Sequence, residues 1–172
     1  LHLARLDQGR PLERVPVALD RLVTDSVNAA TAIASARAIT ASADVAVSVL
    51  GDEARLRQVK ANLIANARVH TPAASAIDVR VYVDGVSAVL EVADEGPGMT
   101  AEVAARAFER FCCADPSRSR QAGGSGLGLA IVKATVQAHG GTVSLVSAPD
   151  GPTVVRVTLP LGAPGAFGGV GP

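Results

Sequence analysis

Apolar residues recur along this chain with two periods, and each switch between them marks an element. RVPVA at 14–18 alternates as a strand does. From Asp20 the spacing lengthens to that of a helix, with Leu22, Val23, Val27, Ala30 and Ile33 on one stripe. Two short strands are predicted near Ile39 and from Val45 to Leu50, followed by a turn and helix start at Gly51-Asp52. That helix runs from about Asp52 to Val69 and ends before Thr71-Pro72, because the residue ahead of a proline avoids the helical region. Leu56, Val59 and Leu63 form its apolar stripe. Lys60 lies at the stripe's edge, where its ammonium could snorkel out to water.

Alternation returns at 77–83 (IDVRVYV) and 86–93 (VSAVLEVA), with Asp84-Gly85 as the hairpin turn between them. A third helix is predicted over 101–107. A fourth starts near Gly126 and ends at His139-Gly140-Gly141, where a glycine C-cap is expected. Strands at 142–147 and 153–159 follow. The opening LHLARLDQGR reads as a short helical piece. The Ser-, Arg- and Gly-rich stretch 112–125 is predicted to be mobile, and the tail GAPGAFGGVGP disordered. Helices interleaved with strands, then hairpins, predict an α/β two-layer sandwich.

Composition narrows this picture. The 172 residues fit one domain. Hydrophobic residues make up 48% and aromatics only 2%, so the core must be built from Ala, Val, Leu and Ile. Sixteen basic residues balance sixteen acidic ones, which argues against a nucleic-acid partner. Cys112 and Cys113 are neighbours, a poor geometry for a disulfide and too few thiols for a zinc site with these histidines, so two reduced thiols are expected. Reduced thiols suit a cytosolic domain; no apolar run is long enough to cross a membrane, and no signal-peptide pattern opens the chain.

Candidate chemistry gathers in three places. Asn62 and Asn66 stand four apart and share a helix face, where an amide oxygen is a reasonable hard ligand for Mg²⁺ and a pair of exposed or capping asparagines is the plainer alternative. Asp94-Glu95-Gly96-Pro97-Gly98 follows a strand directly. Its glycines let the backbone turn sharply and a planar ligand come close, and its aspartate can accept from an exocyclic amine; an Asp-capped turn reads equally from these residues. Gly123-Gly124-Ser125-Gly126-Leu127-Gly128 opens a helix, and glycines there expose N–H groups that bind anions together with the helix dipole. The run is neither a P-loop nor a dinucleotide fingerprint. A flexible linker is the alternative, opposed by the apolar LGLAIV that continues it. Phe108 and Phe111 of FERF are expected to anchor one end of 112–125, and His139 to be a helix C-terminal residue.

In order along the chain, RLRQVKANLIANARVHTP resembles the N box of histidine kinases, DEGPGM the G1 box, FERF the F box and GGSGLGLAIVK the G2 box. HGG and DGPTVVRVTLP resemble the end of that domain, and LHLARLDQGR the end of the family's dimerisation helices. The resemblance covers roughly 14–161, with 1–13 as remnant helix and linker and 162–172 as a flexible tail. It implies the ATP-binding sandwich shared with gyrase and MutL: a mixed, mostly antiparallel sheet packed on about three helices. By position, Asn66 would bind Mg²⁺ with Asn62 in support. Asp94 would read the adenine amine, and Gly96 and Gly98 would shape its pocket. Gly124, Ser125, Gly126, Leu127 and Gly128 would meet the phosphates, His70 would flank the nucleotide, and Thr153 would sit near the adenine side. Residues 112–125 would form a lid over ATP.

Departures from the family pattern are Val69 where Lys is frequent, with Arg68 one residue early, Lys60 for an aliphatic residue, Cys112-Cys113 for Tyr-Arg, and Pro152 for Gly. The family's phosphoacceptor histidine, followed by an acidic residue and an Arg-Thr-Pro run, is matched by none of His2, His70 and His139. The resemblance therefore implies a kinase catalytic domain that donates the γ-phosphoryl of Mg-ATP to a histidine on a dimerisation domain, upstream of a response regulator. Two other readings are a gyrase- or MutL-type ATPase, and a nucleotide sensor or scaffold without activity. The ATPases carry a general-base Glu where this chain has Asn62, and an amide cannot take that proton.

Overall fold

The computed structural model describes residues 11–24, 38–72, 75–110 and 126–162. In chain order these form β1 (Val15–Ala18), a helix α1 described over 19–24, β2 (Ile39–Ala43), β3 (Ser48–Gly51), α2 (Glu53–His70), β4 (Ile77–Asp84), β5 (Ser87–Asp94), α3 (Ala101–Arg106), α4 (Gly128–Ala138), β6 (Thr142–Ser147) and β7 (Thr153–Pro160). A five-stranded sheet has the order β2-β4-β5-β7-β6, and its only parallel pair is β2 with β4. β1 and β3 form a separate antiparallel pair, joined to the end of β7 by a bridge between Val49 and Leu161.

The period of two decides which face of the sheet is buried. Val79 pairs with Val92 and Val92 with Val155, while Val81 pairs with Leu90 and Leu90 with Val157. All of these side chains are buried, in one cluster with Leu56, Val59, Leu63 and Ala67 of α2 and Val132 and Val136 of α4. Two helices on one sheet face make the expected two-layer sandwich, and its core is almost wholly aliphatic. On the other face Glu91 lies between Arg80 and Arg156 in register and accepts from Arg156 Nη2 at 2.7 Å and from Tyr82 Oη at 3.2 Å. Partial burial, then the Glu91 carboxylate, pushes the Tyr82 phenol above its ordinary range.

Three local expectations change. Asp84 pairs with Ser87 as part of the ladder, so the two-residue turn is Gly85-Val86 and not Asp84-Gly85. Gly85 alone in that turn has a positive φ, 58°, which is what a type II′ turn asks of its first central residue. The fourth helix begins at Gly128, two residues later than expected, because Gly126 has left-handed backbone at φ 65°. Lys60 does not snorkel: it is 4% exposed, and its Nζ donates to the Leu22 carbonyl of α1 at 2.9 Å. This buried bond ties α1 to α2. Lys60→Ala should therefore cost about 2 kcal/mol by denaturant unfolding, since it removes a charge-assisted bond and leaves a void.

Candidate functional site

α2 forms the common wall of the site. Asp52 caps its N-terminus, accepting from Arg55 N at 3.1 Å, and Thr71 caps its C-terminus. Leu56, Val59, Leu63 and Ala67 turn inward, so Asn62 and Asn66 emerge half-buried on an adjoining face. The Asn62 amide nitrogen is buried and has no hydrogen-bond partner among the described residues. A buried donor left unmade is costly unless a ligand meets it. Beside it stands Gly128, the first residue of α4. A Cβ built on Gly128 would lie 3.9 Å from Asn62 Cβ, so α4 begins directly over the asparagine face. Among the described residues no side chain caps the start of α4, and no acidic residue occupies its first turn, an arrangement that suits an anion at its leading N–H groups.

The far end of α2, about 12 Å along the axis from Asn62 to His70, meets the end of β5. Asp94 is buried at 6% exposure. Its Oδ1 accepts from Thr71 Oγ1 at 2.7 Å and from Gly96 N at 3.0 Å. Both bonds fall on one oxygen, so Oδ2 keeps its acceptor capacity. A Cβ on Gly96 would lie 2.7 Å from Asp94 Oδ1 and 3.2 Å from the His70 carbonyl, so only glycine lets the loop fold back on the carboxylate. Gly98 has φ 65°, and a Cβ there would lie 1.8 Å from the Ala148 carbonyl oxygen. Asp150 N donates to Pro97 O at 2.8 Å and Met99 N to Ser147 Oγ at 3.1 Å, so the turn between β6 and β7 braces this loop. Thr153, 5% exposed, pairs in register with Asp94 and shares a 2.8 Å bond with Ser147.

The structure thus brings Asp94, Gly96, Gly98, His70 and Thr153 to one end of α2, and Asn62, Gly126, Leu127 and Gly128 to its middle, with Asn66 between. Gly124, Ser125, Phe111, Cys112 and Cys113 lie outside the described residues. Phe108 packs half-buried against the core, and Arg68 lines a cavity of about 570 Å³ with Arg57, Lys60 and Ile64. That cavity lies on the flank of α2 away from Asn62 and Asn66.

A model of the histidine kinase-, DNA gyrase B- and HSP90-like ATPase matches residues 51–163. This chain belongs to that family. In sequence and in fold it is similar to part of known sensor histidine kinases. The chain is 48% identical over 163 residues to the probable sensor histidine kinase TcrY of Mycobacterium tuberculosis, an alignment covering 94% of this chain and 34% of that protein. With the sensor histidine kinase TrcS of the same organism it is 40% identical, covering 94% of this chain and 32% of TrcS. The chain thus spans about a third of these relatives. Among solved structures, the mycobacterial sensor histidine kinase MprB superposes with a TM-score of 0.72 at 29% identity, covering 86% of this chain and 97% of that one. Full-length ShkA in complex with AMPPNP gives 0.76 at 28% identity, covering 92% and 33%.

Within this ATPase-family domain, two residues at the site escape sequence reasoning. Thr71 is visible beforehand only as a helix stop before proline, and Ser147 only as the end of a strand; both act by tertiary contact. Among the described residues no three of His, Cys, Asp and Glu gather to hold a metal, and no helix is long and apolar enough to cross a membrane. A divalent ion at this site would therefore rest on an amide oxygen and on phosphate oxygens, a donor set that suits Mg²⁺.

Proposed function

We propose that this domain holds Mg-ATP between α2 and the start of α4 and donates the γ-phosphoryl to a histidine on a dimerisation domain of a sensor kinase. The observation that carries the reading is Asn62. It lies four residues before Asn66, under the start of α4, where a hydrolytic relative would need a carboxylate base. Its amide cannot take a proton from water, but its buried, unpartnered nitrogen can donate to a phosphate oxygen or to an Asn66-held ligand. That the similar kinase ShkA forms a complex with AMPPNP supports a nucleotide as the ligand.

In this reading Asp94 Oδ2 accepts from the adenine amine while Thr71 and Gly96 hold Oδ1. The N–H groups at the start of α4 meet the phosphates, and the Asn66 amide oxygen holds the metal. When bound, Mg²⁺ neutralises charge on the phosphates. The imidazole nitrogen of the acceptor histidine supplies the electron pair for the new N–P bond as the bond to the leaving ADP oxygen breaks, so no base is required from this chain. Residues 1–13 serve as the end of the dimerisation helices and linker, 14–161 as the catalytic domain and 162–172 as a tail. The domain works on the cytoplasmic side, and a response regulator takes the phosphoryl group from the histidine.

Asn66→Ala tests the metal role. Its affinity for Mg-ATP is expected to fall about tenfold, while metal-free ATP changes by less than about twofold. Equal losses in calorimetric titrations with and without magnesium would remove Asn66 from the metal site.

A further inference from the structure

His139 sits at the end of α4 farthest from the nucleotide and is 4% exposed. Its Nδ1 donates to the Thr135 carbonyl at 2.8 Å, one turn back in its own helix. Its Nε2 accepts from the backbone N–H of Asp52 at 3.0 Å, across 87 residues of sequence. These partners settle the tautomer: the proton is on Nδ1 and the lone pair on Nε2 faces α2. The N–H it receives belongs to the N-cap of α2, so the ring ties the C-cap of one helix to the N-cap of another. The fit is close, since a Cβ on Gly51 would lie 2.7 Å from His139 Cδ2.

α2 and α4 therefore touch at two levels. At one, His139 binds the N-cap of α2. At the other, Gly128 lies over Asn62. α4 from Gly128 to Ala138 is about 16 Å long. A rigid helix carries any slide at its C-terminus to its N-terminus undiminished. Fixing the C-terminal end of α4 on α2 thus sets where its leading N–H groups stand relative to Asn62 and Asn66.

We infer that His139 is a positioning residue for the nucleotide site: through Asp52 N it sets the register of α4 against α2, and so aligns the phosphate-facing N–H groups with the asparagine face. The inference rests on the Mg-ATP site proposed above. It is a role by distance, since His139 touches neither nucleotide nor metal.

Two near-isosteres separate its two bonds. Asn at this position places an amide nitrogen near Nδ1, keeping the local bond to Thr135 and losing the link to Asp52. Gln places an amide oxygen near Nε2, keeping the link and losing the local bond. Mg-ATP is titrated calorimetrically into the whole chain at a temperature where each variant is folded by circular dichroism. His139→Gln should stay within about threefold of the parent affinity and His139→Asn should lose about tenfold, because one buried backbone N–H loses its acceptor. Gly51→Ala, which pushes the ring off its seat without removing it, should also lose affinity. Gly85→Ala strains the turn at the opposite end of β5, so it should lower the melting temperature and leave affinity unchanged. Parent-like affinity in His139→Asn or Gly51→Ala, or equal losses in the Asn and Gln variants, overturns the inference while leaving the nucleotide site standing. Absence of Mg-ATP binding by the parent chain overturns both.

Discussion

Asp94→Asn is expected to lose ATP binding, with affinity down by about a hundredfold or more, because a donor must replace an acceptor at a buried site. The geometry leaves the amide no good choice. Asp94 Oδ1 already accepts from Thr71 Oγ1 and Gly96 N. An asparagine satisfies those donors by placing its oxygen there, which turns its NH₂ toward the adenine amine, donor against donor. Turning the amide over restores the acceptor for adenine but faces the NH₂ with the Gly96 N–H. Isosteric size keeps the fold, so the variant should melt close to the parent. Unchanged affinity in nucleotide titration would remove Asp94 from adenine recognition.

Gly98→Ala is expected to lower stability by about 3 kcal/mol, a fall in melting temperature of roughly 6–12 °C for a domain of this size. Two effects combine. An alanine at φ 65° is strained in itself, and its Cβ would overlap the Ala148 carbonyl oxygen, 1.8 Å away. The loop must then leave the turn between β6 and β7, breaking the bonds from Asp150 N to Pro97 O and from Met99 N to Ser147 Oγ. Gly85→Ala isolates the first effect, because Gly85 has φ 58° and nothing within 4 Å of its built Cβ. It should cost only about 1 kcal/mol. A Gly98→Ala chain as stable as Gly85→Ala would show that the loop is not braced by that turn.

These cases show why the sequence reads well in some places and poorly in others. β4 is legible because its apolar and polar positions alternate, and β5 because its apolar positions stand opposite those of β4 on one buried face, although Ala88, Val89 and Leu90 interrupt its alternation. α2 was legible because Leu56, Val59 and Leu63 repeat at helical spacing between a capping aspartate and a Thr-Pro stop. The box residues stand in the order the family pattern requires, so the family and the elements that carry the candidate site are legible as well. What could not be read depends on distant partners. Lys60 at the edge of an apolar stripe fits a snorkelling side chain until α1 places the Leu22 carbonyl above it. Asp84-Gly85 fits a type I′ turn until Asp84 is drawn into the ladder opposite Ser87. ITASA carries too weak a pattern to announce a parallel edge strand beside β4. His139 before two glycines fits a plain helix end, and nothing local reveals that its other nitrogen serves Asp52.

The proposed role is that this domain holds ATP for the nucleophile of another domain rather than for water. The most direct measurement mixes the chain with a purified dimerisation domain carrying its acceptor histidine, supplies γ-labelled ATP and magnesium, and follows label on each protein and in free phosphate. Acid-labile label is expected on the dimerisation domain, with none on this chain alone, none with Asp94→Asn, and little free phosphate in the absence of the partner. Stable label on this chain by itself, or rapid release of phosphate to water with the partner left unlabelled, would contradict it.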